Sequence, residues 1–263
     1  MKVSGFLYLL SWELKKVGKF PIPELLLIVV GLQVGMGMFN ISNSTSSGAF
    51  PTGILLIMGV ISEYESFIEI QLGNTISGLF ISTSLFVAVL VALTFSNEIE
   101  NGMFKTALSR PVKRRSLFLT KFISVMLVIN AISCIFVLLS LLLLDPSTWA
   151  QFLSAWKGWG LALILLVISS FFVASLGVFA SMLSKSVAIT SLVTIGMVVI
   201  VDTISGKLVF LPGESLRRII VYAGSGEGLS HIEAILAAGL MPMAGILLFI
   251  VSYYLFTRRL DIN

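Results

Sequence analysis

The chain has 263 residues, 57% hydrophobic and only 11% charged, with a formal net charge of +4 and a mean hydropathy of +1.05. A soluble domain carries about 25% charged and about 45–50% apolar residues, so an ordinary soluble fold is excluded and an integral membrane protein is predicted. Leu/Ile/Val runs without strict alternation predict helices rather than a closed barrel, the two architectures that satisfy backbone polar groups in lipid.

Residues 3–20 read as an amphipathic helix lying on the membrane surface. Phe6, Leu9, Leu10, Glu13 and Lys16 recur at helical spacing, with Tyr8 and Trp12 as interface anchors. A first span is expected at 22–39, after Pro21 and Pro23, and it contains a Gly31/Gly35 pair that permits close helix approach. It follows Lys15, Lys16 and Lys19 and has no small-residue cleavage site, so it is expected to be retained. In the extracellular segment 40–70, the apolar run 50–61 covers about 18 Å as a helix, short of a hydrocarbon core of about 30 Å, and reads as re-entrant or interfacial.

The second span, 71–95, is polar in its outer half, where Asn74, Ser77 and Ser82 are candidate path-lining residues. Residues 97–121 then form the longest strongly polar stretch, with six of the 17 Lys and Arg. A third span is expected at 122–144, a fourth at 161–183 after an aromatic loop with Trp149, Trp156 and Trp159, and a fifth at 187–204. An extracellular segment, 205–231, precedes the sixth span at 232–256, in which Pro242 predicts a kink. Six spans put both termini on one side. Thirteen of the 17 basic residues then fall on that side, Lys185, Arg258 and Arg259 among them, so both termini and 97–121 are expected in the cytoplasm of a cell-membrane protein.

Within 97–121, Glu98 and Glu100 stand at the inner end of the second span and Asn101-Gly102 signals a turn. Residues 103–109, including Met103, Phe104 and Leu108, can form two helical turns along the membrane, ended by Arg110-Pro111 because the residue before proline disfavours helical geometry. Lys113, Arg114 and Arg115 face the anionic inner leaflet, each worth about 1 kcal/mol there. A short helix held at both ends by charge is suited to pass a docked partner's movement into the bundle.

The order Glu98-x-Glu100-x-Gly102, Ala107-Leu108, Arg110-Pro111-Val112-x-Arg114 and Lys121 resembles the signature of permeases in the ATP-binding-cassette type 2 exporter class. Met103 and Ala107 depart from the usual hydroxyl residue and first Leu of that pattern. The resemblance extends over the whole layout. It implies an all-α membrane protein of six spans, with a surface helix, a coupling helix between spans two and three and an extracellular re-entrant piece. It also implies a separate ATPase subunit docked through Glu98, Glu100, Gly102, Met103, Phe104, Leu108, Arg110, Pro111, Arg114 and Lys121. A second permease chain, identical or different, completes the expected assembly in the bilayer, with a path between the two chains lined by spans two and five.

No G-x-x-x-x-G-K-[ST] loop occurs, so ATP and magnesium are expected on the partner and no cofactor on this chain. The single Cys134 and single His231 supply no metal set and no nucleophile–base pair, and Cys134 is expected to pack in the interior. Neither catalysis nor nucleic-acid binding is expected. The alternative is a self-sufficient ion-coupled carrier or channel, which would call for ionisable residues at mid-bilayer or an internal repeat.

Overall fold

The computed structural model describes residues 3–19, 24, 25, 28, 83–102, 114–142, 156–184, 186–205 and 231–259. Among these, regular structure is entirely helical: α1 (Val3–Val17), α2 (Thr83–Glu100), α3 (Arg114–Leu142), α4 (Trp156–Ser184), α5 (Val187–Ser205) and α6 (His231–Arg259). Four of them, α2, α3, α4 and α6, are long and apolar enough to cross a membrane, and α5 adds a shorter apolar run, Val187–Ile200. Of the expected first span only positions 24, 25 and 28 are described, all helical and exposed. The expected re-entrant run, the path-lining Asn74, Ser77 and Ser82, the coupling helix at 103–109 and the segment 206–230 lie outside the described residues.

Two helices start earlier than hydropathy alone suggests. Helix α3 begins at Arg114, eight residues before the expected span, and α4 begins at Trp156, inside the expected aromatic loop. Hydropathy marks where side chains become apolar, whereas a helix continues through polar turns as long as its backbone bonds are made. Helix α6 likewise runs on through Pro242 to Arg259.

Helix α1 presents its expected face to the bundle. Glu13 and Val17 are buried, Leu9 packs against the core, and Leu7, Tyr8 and Trp12 point outward. Lys15 and Lys16 occupy its last turn, where they complement the carbonyl end of the helix dipole. The Gly18 N–H donates to the Leu14 carbonyl (2.9 Å) and Lys19 N–H to that of Lys16 (3.2 Å), closing the helix.

The core between α2, α3, α4 and α6 is aromatic. Phe118 of α3 has the rings of Phe95, Phe249, Tyr253 and Phe256 around it at centroid distances of 5.1–5.7 Å, and Phe122 meets Phe249 at 4.7 Å and Phe171 at 5.6 Å. Most of these pairs are tilted or edge-on, the arrangement that ring quadrupoles favour. Glycines let the backbones approach: a Cβ on Gly177 would lie 3.1 Å from Val91, and one on Gly245 would lie 3.0 Å from the Phe171 ring and 3.3 Å from the Phe172 Cα.

Most hydroxyls inside the described apolar helices bond their own backbone, although the buried Ser84 and Ser116 hydroxyls make no such bond. Ser124, Ser133, Ser169, Ser175, Ser181 and Ser252 each donate to a carbonyl three or four residues back. Ser170 Oγ also reaches across from α4 to α3, donating to Asn130 Oδ1 at 3.1 Å. Outward, α5 and α6 carry Leu192, Met197, Met243, Leu247 and Ile250 exposed. On a soluble domain so continuous an apolar surface would aggregate, whereas in a helical membrane protein it is compatible with facing lipid. Cys134 is on that outer surface rather than in the packed interior expected for it.

The close fit at Gly245 predicts that Gly245→Val destabilises the bundle by about 1–3 kcal/mol through overpacking. Gly196→Val, at a position with nothing within 4 Å of an added Cβ, is expected to escape that cost. Denaturant unfolding of both variants in the same detergent checks the contrast.

Candidate functional site

One end of the bundle gathers α1, the C-terminal end of α2, the N-terminal end of α3, the α4–α5 turn and the C-terminal end of α6. The ties are Lys121 to Glu13 and Glu98, Glu100 to Val187, and Phe118 to Phe256. Lys121 stands two turns inside α3 rather than at its opening, and its side chain is 1% exposed. Its Nζ donates to Glu98 Oε1 at 2.7 Å and to Glu13 Oε2 at 3.1 Å. Glu13 Oε1 lies 3.0 Å from the same nitrogen but out of line for a hydrogen bond, so it is within ion-pair range only. Glu98 accepts a second ammonium, that of the half-exposed Lys16, which also sits 5.5 Å from the centroid of the Trp12 ring. Two carboxylates and two ammoniums thus join three helices. Burying one charge alone would cost several kcal/mol, so a balanced set is the form in which such groups persist.

Burial pushes the Glu13 carboxyl above its ordinary value of 4.5; Lys121 beside it pulls the other way and the neighbouring Glu98 adds to the rise.

A second set of contacts lies on the opposite side of α2. Ser96 Oγ is 2.7 Å from Thr190 Oγ1, Thr190 also bonds Ser184, and Glu100 Oε2 accepts the Val187 N–H at 3.2 Å. The carboxylate therefore occupies the positive N-terminus of α5, which the short α4–α5 turn leaves open. Positions 96 and 100 are four apart and share a face, while 98 points away from both. The end of α2 is held from two sides at once.

Gly102 ends α2 with φ +64°, the left-handed conformation that a Cβ makes costly. Asn101 secures the same terminus: its side-chain Nδ2 donates to the Asn97 carbonyl at 2.9 Å and its Oδ1 at 2.6 Å.

Of the residues expected to couple to a partner, Glu98 and Lys121 are therefore inside the bundle, Glu100 caps α5, Gly102 ends α2 and Arg114 is the first residue of α3. Met103, Phe104, Leu108, Arg110 and Pro111 lie outside the described residues. Sequence reasoning missed Glu13 as a partner of the signature, and Thr190 and Ser184 altogether. A carboxylate on the apolar face of an amphipathic helix was the available signal for Glu13; the hydroxyls offer none. Among the described residues no three His, Cys, Asp or Glu side chains come together as a metal site. Compared with protein-family models and with curated proteins, the chain matches none.

Lys121→Met removes the ammonium that two buried carboxylates share, and is expected to cost about 3–5 kcal/mol in unfolding measurements. The pH dependence runs opposite to that of a carboxylate whose pKa is lowered on folding. The folded protein holds its Glu13 proton more tightly than the unfolded chain, so Glu13's contribution to stability is present as pH falls toward 4.5 and is lost above the raised value. The stability of Glu13→Gln relative to the parent is expected to improve as pH rises from 4.5 through the raised value. An unchanged difference across that range would remove burial as the dominant influence on Glu13.

Proposed function

We propose that the chain is the membrane-spanning permease subunit of an ATP-binding-cassette transporter of the exporter type. It crosses the cell membrane six times with both termini in the cytoplasm, and it is driven by a separate ATPase subunit docked on 97–121. With no family model or curated protein matching, the reading rests on the residues themselves.

The observation that supports it most is the bracing of both flanks of the 103–113 segment. On one side Glu98 and Glu100 tie α2 to α1, α3 and α5; on the other Lys121 ties α3 to α1 and α2. A loop that only set topology would need basic charge near the membrane, not two acidic residues each engaged with a different helix. A segment leaving two braced helices transmits a push from outside to several helices together, which is what a permease without its own phosphate loop requires. In this reading Glu98 and Lys121 are positioning residues behind the docking surface, and Met103, Phe104, Leu108, Arg110, Pro111 and Arg114 supply the surface itself. Lys15 and Lys19, exposed at the end of α1, supply basic anchoring to the anionic leaflet. The second permease chain, identical or different, would meet this one through lipid-facing helices, and ATP with magnesium would bind on the partner ATPase.

Co-expression with any phosphate-loop ATPase encoded beside the gene is the direct test. One such ATPase is expected to copurify stoichiometrically, and Phe104→Ala with Arg110→Ala to abolish copurification while the permease remains folded by unfolding profile. Absence of any copurifying ATPase, or indifference to both substitutions, sinks the proposal.

A further inference from the structure

Residues Ala92–Ser96 of α2 form a π-turn, in which the Asn97 N–H donates to the Ala92 carbonyl five residues back. No proline or glycine lies within it to account for the irregularity. Within it the Thr94 hydroxyl occupies the Leu90 carbonyl at 2.6 Å, which accommodates the turn locally, and its neighbours set the register. Going down α2, the residues that meet the α4–α5 hairpin are Val91, beside Gly177 and Thr194; Ser96, on Thr190; and Glu100, on the Val187 N–H. The steps are five and then four. An uninterrupted α-helix from Val91 would instead present Phe95 and Ile99 to the hairpin and Asn97 to Lys121. Upstream packing and downstream polar contacts are therefore out of phase by one residue, and the π-turn absorbs that residue.

We propose that the π-turn is a register switch. It holds the extra residue while Ser96 and Glu98 are engaged, and position 100 then stands at the Val187 N–H. When they let go it relaxes to α-helix, turning the end of α2 by about 100°, one residue of helix. Single π-turns inside α-helices recur at functional sites. Here the turn lies between the tightly packed Val87–Val91 side, where Val87, Ala88, Leu90 and Val91 are fully buried, and the charged end. Rotation below the turn leaves packing above it undisturbed. It would carry Glu98 away from Lys16 and Lys121 and Glu100 away from α5 together, freeing α2 from α1 and from the α4–α5 hairpin in one movement while Glu13 stays on Lys121. That a docked ATPase throws this switch rests on the function proposed above; the switch itself rests only on contacts within the chain.

The test uses the full chain in lipid vesicles, with Cys134→Ser as background and a short bifunctional thiol reagent. Val187→Cys is paired with either Glu100→Cys or Ile99→Cys. In the parent, cross-linking from position 100 is expected to exceed that from 99. Releasing the contacts with Ser96→Ala and Glu98→Gln is expected to reverse that order. Deleting Leu93, the half-buried residue of the turn, removes the extra residue, and position 100 is then expected to stay ahead with or without the release substitutions. If the double substitution does not fold, Glu98→Gln alone carries the same comparison. An order that is unchanged on release, or a Leu93 deletion that loses the cross-link from position 100, overturns the switch. Because no ATPase is present, failure of the copurification test would leave this result standing, and failure here would leave the ATPase partner unaffected.

Discussion

The Lys121 ammonium sits between the carboxylates of Glu13 and Glu98 with almost no access to water, and the arrangement of this end of the bundle follows from it. Once α3 carries a buried cation two turns inside the helix, something must neutralise it, because a lone buried charge costs several kcal/mol. Glu98 can do so only if α2 stays helical past its apolar part, and Glu13 only if α1 turns a polar position inward. Both conditions are met. The N-terminal helix is thereby fixed to the bundle by geometry as well as by its apolar face, since Lys121 and Glu13 are 108 positions apart in sequence.

Hydrophobic packing alone would leave this end under-specified. The aromatic cluster around Phe118 tolerates small rotations, because ring pairs have broad preferences, and α5 offers α2 mainly Val, Ile and Thr. Hydrogen bonds between defined atoms are less forgiving. Ser96 on Thr190 and Glu100 on the Val187 N–H fix one rotational setting of α2, and Glu98 on Lys121 fixes the same setting from the other side. Polar contacts here select a register more than they add stability, in keeping with the small net contribution of most intramolecular hydrogen bonds.

Much of this was legible beforehand, and the gaps have physical causes. Helices α3, α4, α5 and α6 followed from apolar run length, and α1 from the spacing of Phe6, Leu9, Leu10 and Glu13. Asn101-Gly102 announced the end of α2, and Gly102 has the positive φ such a signal implies. Helix ends were misjudged where polar turns continue the backbone, at Arg114 and Trp156. The π-turn was invisible because a register mismatch belongs to two packed surfaces and not to the five residues that absorb it. Glu98 and Lys121 stood out by type and spacing, but their direct pairing, with Glu13 sharing the same ammonium, is a tertiary fact. Thr190 looked like any hydroxyl in an apolar helix, most of which bond only their own backbone.

The two glutamates of the polar stretch separate in role because two residues along a helix is about 200° of rotation. Glu98 faces α1 and α3, while Glu100 faces α5. If both lay on one face they would repel each other and compete for one cation. On opposite faces each neutralises a different positive group, a lysine ammonium in one case and a helix N-terminus in the other. That division makes the end of α2 a shared element of two otherwise separate contacts. Movement of that end must therefore alter both sides together, whereas movement of α1 or of the α4–α5 turn alone need alter only one.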